Sequence, residues 1–136
     1  MSRVFLALIL CSVCSVQASE WEYLGETNEF KYELDKQAIR KVATGYSTVG
    51  NNVTQFWVKK VVINDLSKDG LGIGDHTKTL LHINCNADLL GFKTEIKYKG
   101  TRVIDSYTAP YVKMEPIVPD TIGSSLAKVI CIGLTH

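Results

Sequence analysis

From Trp21 to Thr108 the side chains alternate between apolar and polar with a period of two, and that pattern limits what the chain can become more than any motif does. Successive side chains on a strand point to opposite faces, so such a stretch buries one face of a sheet and wets the other. Phe30, Tyr32 and Leu34 point one way, and Lys31, Glu33 and Asp35 the other. The stretch Val53 to Asn64, VTQFWVKKVVIN, is the longest β-prone run; apolar on both faces near its ends, it reads as a central strand, with Lys59 and Lys60 marking where it reaches the sheet margin. Thr79, Leu81, Ile83 and Cys85 share a face over 78–86. Phe92, Thr94, Ile96 and Tyr98 then oppose Lys93, Glu95, Lys97 and Lys99, and Lys99-Gly100 turns the chain into 101–108 to complete a hairpin. Asp35 to Lys41 reads as a short helical turn with Ile39 inward. Residues 45–52 and 65–77 are connections rich in Gly, Ser, Thr, Asn and Asp.

The period changes after Pro110. Pro116 and Pro119 frame an extended segment, Asp120 or Thr121 supplies a helix N-cap, and Ile122, Leu126, Val129 and Ile130 recur at helical spacing up to Cys131. The expected class is therefore α+β: a mostly antiparallel sheet with one amphipathic C-terminal helix.

The first eighteen residues, MSRVFLALILCSVCSVQA, have the layout of a secretory signal: Arg3, an uncharged apolar run from Val4 to Val16, and small side chains at Val16 and Ala18. The run is shorter than the roughly 20 residues a helix needs to cross a bilayer. It reads as a cleaved leader, residues 1–18, followed by a single domain, residues 19–136. Leu10 and Val13 precede Cys11 and Cys14 and are too large for a lipobox. Removing Arg3 with the leader balances the remaining Lys and Arg against Asp and Glu, so the formal charge falls from +1 to zero. A neutral domain offers no bulk charge for nucleic acid, and none is expected as a partner. No second apolar run in the mature chain is long enough to span a membrane.

Export also decides the cysteines. Cys11 and Cys14 leave with the leader, and Cys85 and Cys131 enter an oxidising compartment where a pair can form one bridge, two reduced buried thiols being the alternative. Their separation of 46 residues corresponds to about 4 kcal/mol of loop-closure stabilisation.

Candidate chemistry is sparse. Asp65-Leu66-Ser67-Lys68-Asp69-Gly70 begins like a calcium loop, but the twelfth position is His76 rather than a bidentate Glu and a strand follows, so a Gly- and Asp-rich hairpin loop is the plainer account. Gly70, Gly72 and Gly74 lack the spacing and the helix of a phosphate loop. His82 and Cys85 have an H-x-x-C spacing, yet three residues apart on a strand they diverge, and a strand-edge histidine is the default. No triad, zincin or nucleophile-elbow motif is present, so the chain reads as non-enzymatic, without metal or cofactor. Asn52-Val53-Thr54 matches a glycosylation sequon, which matters only in a eukaryotic secretory route. One surface feature stands out: Lys93, Lys97, Lys99 and Arg102 gather on or near one hairpin, with Lys59 and Lys60 possible neighbours. They form either a solvated face that guards an edge or a docking patch for an acidic protein segment or sulfated glycan.

Trp21-x-x-x-Gly25, Asp35-x-x-x-Ile39, Phe56-Trp57-Val58, Ile83-x-Cys85, Pro116-x-x-Pro119 and the last-helix Cys131, in this order, resemble the surface-adhesin protein E family of Gram-negative bacteria over the whole mature chain. The resemblance implies an antiparallel sheet of about six strands with the C-terminal helix packed on it. It also implies an outer-membrane adhesin that binds host extracellular-matrix and serum proteins such as vitronectin, laminin and plasminogen. The family's named adhesin is a lipoprotein, whereas this leader has no lipobox. The expected location is therefore the periplasm, the outer-membrane periphery or the medium. The alternative is a periplasmic accessory envelope protein, a small-ligand binder or inhibitor with no role in adhesion.

Overall fold

A computed structural model describes residues 19–42 and 52–133. The expected leader with Cys11 and Cys14, and most of the connection at 45–52, lie outside the described residues. The strands are β1 Trp21–Glu26, β2 Phe30–Asp35, β3 Arg40–Val42, β4 Val53–Val62, β5 His76–Asn84, β6 Leu89–Lys99, β7 Arg102–Thr108 and β8 Met114–Pro116, and a single helix, α1 Ile122–Gly133, ends the described chain. All the strand pairs are antiparallel.

The eight strands form one sheet in the order β1-β2-β4-β5-β6-β7. The other two extend existing lanes. β2 pairs with the Val58–Val62 end of β4, and after a 3-10 turn at Lys36–Ala38 the same lane continues as β3 against Val53–Gln55. Asp35 makes that turn by accepting the Gln37 backbone N–H at 3.1 Å through Oδ1. Likewise β7 pairs with Thr94–Lys99 of β6 and β8 with Leu89–Gly91. The sheet thus has six lanes with one helix packed on it, an α+β fold.

Paired residues share a face. Leu34 lies opposite Val58, Phe56 opposite Leu81, and Thr54 opposite Ile83, so these side chains line one surface. The helix packs there: Leu34, Phe56, Val58 and Ile83 join Leu126 and Ile130 in a fully buried cluster. Thr121 caps the helix, its Oγ1 accepting from Ser124 N–H while Ser124 Oγ accepts from Thr121 N–H, both at 3.2 Å. Asp120, the other expected cap, takes a left-handed φ of 58° just outside it. Val129, expected inward, is 44% exposed, because the helix turns Leu126 and Ile130 to the sheet and leaves that flank outside. Cys85 and Cys131 are joined, with Cα atoms 5.6 Å apart, so the end of the helix is fixed to the turn after β5.

Three further readings change. β4 runs through the middle of the sheet, so Lys59 faces Glu33 on one side and Lys78 on the other and is not at a margin. His82, expected at a strand edge, lies on central β5 and is 8% exposed. The third change is a bulge in β6. Leu81 pairs with Phe92 but Leu80 with Thr94, so Phe92 shares a face with Glu95 and Lys97, while Thr94, Ile96 and Tyr98 occupy the other. Beside it, Gly91 admits no side chain: a Cβ there would meet Val112, lie 2.7 Å from Met114 Sδ and 2.8 Å from the Lys113 carbonyl. That close approach lets the 112–114 segment lie against β6.

Candidate functional site

The β6–β7 hairpin does not assemble the expected basic patch as one group. Lys93 is the bulged residue, and its Nζ donates to the Ala109 carbonyl at 2.9 Å. Lys97 lies between Glu95 and Asp105, at 3.8 and 3.9 Å. Lys99 and Arg102 face one another at the exposed hairpin end. Lys60 lies in the cross-strand row of Thr77 and Lys97, whereas Lys59 points to the opposite face of the sheet.

Most carboxylate oxygens of the Asp65 to Asp75 loop are engaged: Asp65 Oδ2 accepts from Lys68 Nζ at 3.2 Å, while its Oδ1 has no partner among the described residues. Asp69 Oδ1 accepts from Leu71 N–H, and the two Asp75 oxygens accept from Gly72 and Gly100 N–H at 2.9 and 3.0 Å. Among the described residues no three His, Cys, Asp or Glu side chains converge as a metal site would require. Thr54 of the sequon is wholly buried in β4.

The more distinctive surface is the sheet face away from the helix. Odd-numbered β4 residues Gln55, Trp57, Lys59 and Val61 point there, and the register places Lys78 beside Lys59 and Leu80 beside Trp57. From β6, Ile96 follows Lys78 and Tyr98 follows His76. At the far lane Trp21 begins β1 opposite Asp35. Its ring extends inward, with Lys59 Nζ 4.7 Å and Lys78 Nζ 5.4 Å from the ring centroid. Lys78 Nζ is also 5.1 Å from the Tyr98 ring, and Tyr98 stacks on His76 at 4.6 Å. Trp21, Asp35, Trp57, Lys78, Ile96 and Tyr98 line an open cleft of about 360 Å³.

The charges on this face are unequal. Glu33 bridges Lys31 at 2.8 Å and Lys59 at 2.6 Å. Burial works against the Glu33 charge, but the hydrogen bonds and charges of the two lysines outweigh it and hold its carboxyl below the ordinary 4.5. Lys78 forms no ion pair among the described residues; its ammonium rests between aromatic rings, where the ring quadrupole attracts it. Asp35 is 5% exposed, with Oδ1 engaged by the turn. A second cleft of about 380 Å³, between Leu81, Phe92, Tyr107 and Tyr111, is apolar, and the charges at its rim, Lys113 and Glu115, pair with each other at 2.7 Å. It leaves no unmatched charge to select a ligand.

Sequence reasoning missed the aromatic face because its members come from β1, β4, β5 and β6, and only the register brings them together. The available signal was Trp57 standing among the polar-facing positions of β4, where a large aromatic is out of place on a purely solvated face.

On this face a buried polar chain joins Arg40, Gln55 and His82. With the Gln55 amide turned so that its nitrogen donates to His82 Nε2 at 3.2 Å, its oxygen accepts from Arg40 at 3.0 and 3.1 Å. The His82 Nδ1 has no partner among the described residues. Burial first, then the Lys93 charge, pushes the His82 imidazole below its ordinary 6.5. His76 is pushed down by burial and then by Lys78 and Lys59, against the opposing pull of Asp75 and Glu33. A histidine with a lowered folded pKa leaves the unfolded chain holding more protons just below 6.5. Its contribution is therefore complete above that pH and is lost as pH falls toward the folded value. Glu33 and Asp75 are lowered from 4.5 and 3.8, Asp75 chiefly by the Gly72 and Gly100 N–H groups, so their contribution is lost at lower pH. Denaturant midpoints measured from neutral down to about pH 3 are expected to fall in two stages. The paired substitution His76→Gln and His82→Gln should flatten the upper stage and keep the lower; an unchanged upper stage would reject the assignment.

No protein-family model, curated protein or solved structure matches this chain.

Proposed function

We propose that this chain is an exported, non-enzymatic binding protein, adhesin-like in action, that engages its partner through the open sheet face. The observation that carries the reading is the cleft lined by Trp21, Trp57 and Tyr98, in which the Lys78 ammonium rests between the Trp21 and Tyr98 rings with no ion pair among the described residues. Tyrosine and tryptophan supply large, stiff contact area and dominate binding energy at interfaces, and an ammonium held without a counter-ion is available to a partner's anion. On the adhesin reading the partner is a host matrix or serum protein. The size of the cleft, about 360 Å³, also favours a second reading, a periplasmic accessory protein that binds a small ligand.

Protease treatment of intact cells separates the two, since an adhesin is digested and a periplasmic protein is protected. Immobilised vitronectin and laminin test the adhesin directly. Binding should saturate, weaken with salt, fall at least tenfold in Trp57→Ala, and persist in a Lys97→Glu, Lys99→Glu variant. Loss only in the second variant would return the site to the hairpin; no binding by the unaltered protein would reject adhesion.

A further inference from the structure

We propose that the cleft between Trp21, Trp57 and Tyr98 takes a sugar ring bearing an anionic group, so that the ligand of the binding face is an acidic glycan. The inference rests on the binding-protein reading and names the ligand chemistry of that same face.

The three requirements of such a ligand are each met by a different residue. A pyranose presents a flat C–H face that stacks on an aromatic ring, and Trp21, Trp57 and Tyr98 all line the cleft. The Trp21 ring reaches inward from the first lane, so it and the Tyr98 ring stand on either side of the Lys78 ammonium, 5.4 and 5.1 Å from it. The carboxylate or sulfate of the sugar meets Lys78, which forms no ion pair among the described residues, with Lys59 close by over the same Trp21 ring. Sugar hydroxyls are donors, and the cleft supplies a carboxylate acceptor: Asp35 spends Oδ1 on the Gln37 N–H, leaving its other oxygen for them.

Asp35 is also what separates a glycan from other acidic partners. An Asp- or Glu-rich peptide carries its anions on side chains that cannot donate to Asp35, with only backbone N–H groups as donors and no flat ring face for the aromatics. A neutral sugar would satisfy Asp35 but leave Lys78 unmatched. A ligand with hydroxyls, an anion and a flat ring face answers the whole set.

The chain's two tryptophans, Trp21 and Trp57, both line the cleft, so intrinsic tryptophan fluorescence reads its occupancy without a label. The titrants are a heparin-derived tetrasaccharide for sulfate, a hyaluronan-derived tetrasaccharide for carboxylate, neutral maltotetraose and poly-glutamate. Saturable quenching by at least one acidic tetrasaccharide is expected, with maltotetraose and poly-glutamate at least tenfold weaker. The arm that binds identifies the anion. Lys78→Gln should weaken binding at least tenfold while melting as the unaltered protein does, and Lys97→Gln, on the opposite face, should leave it unchanged. If Lys78→Gln is itself unstable, weakening of the acidic arms with salt at a constant neutral-sugar response decides instead. Equal affinity for maltotetraose, equal affinity for poly-glutamate, or acidic-sugar binding that survives Lys78→Gln each overturns the proposal. Matrix-protein binding lost in Trp57→Ala without any response to the tetrasaccharides would reject the glycan and keep the binding face; no binding of either kind would reject both.

Discussion

Replacing Cys85 and Cys131 together by alanine is expected to lower the stability of the folded protein by about 4 kcal/mol, the loop-closure contribution of a bridge that spans 46 residues. For a domain of this size that corresponds to a fall in Tm of roughly 15 °C. The bridge links the turn after β5 to the last turns of α1, so everything from β6 to the helix lies within the closed loop. Its loss enlarges the unfolded ensemble and also frees the helix end, which carries only Leu126 and Ile130 as fully buried anchors. Thermal melting checks both effects. The unaltered protein with a reductant should fall to the Tm of the double-alanine variant, and the variant should not respond to reductant. A difference of only a few degrees would mean that the helix is held by its apolar face alone.

How far the fold was legible follows from which interactions are local. The alternation of Phe30, Tyr32 and Leu34, or of Thr79, Leu81 and Ile83, states which side chains share a face, and the register agrees. The cap at Thr121 and the period of Leu126 and Ile130 are equally local, and the cysteine pair had one intramolecular solution. By contrast, β3 and β8 are three residues each, too short to show a period. The bulge at Phe92 preserves an unbroken alternation in the sequence while reversing the faces after it, so Lys93 and Lys97 appear to share a surface that the ladder divides. The position of a strand among its neighbours is also non-local. Lys59 and Lys60 looked marginal because lysine on a strand is usually exposed, but Glu33 and Trp21 from other lanes give Lys59 partners in the sheet interior. The candidate site is of this last kind. Each of its residues is an ordinary strand residue, and only the six-lane order makes them neighbours.

The largest single-residue effect is expected at Phe56. Its ring is completely buried on the middle lanes of the sheet, in one cluster with Leu34 of β2, Val58 of its own strand and Ile83 of β5, together with Leu126 and Ile130 of the helix. Phe56→Ala removes the transfer energy of the ring and leaves a cavity, a combined cost of about 3–5 kcal/mol. The backbone cannot close that space easily: β4 is held along β5 at Phe56 itself and by β3 and β2 just before and just after it on the other edge, and the helix above is tied to Cys85. The oxidised variant should therefore keep its helical circular-dichroism signal while its melting transition drops. Reduction of the same variant removes the tether over an already weakened contact, so helical signal should be lost below the main transition, which reduction of the unaltered protein should not cause. The two losses are expected to couple because helix and ring share one buried cluster. Simple additivity, with the helix melting together with the sheet in the reduced variant, would show that the disulfide stabilises the chain without holding the helix against Phe56.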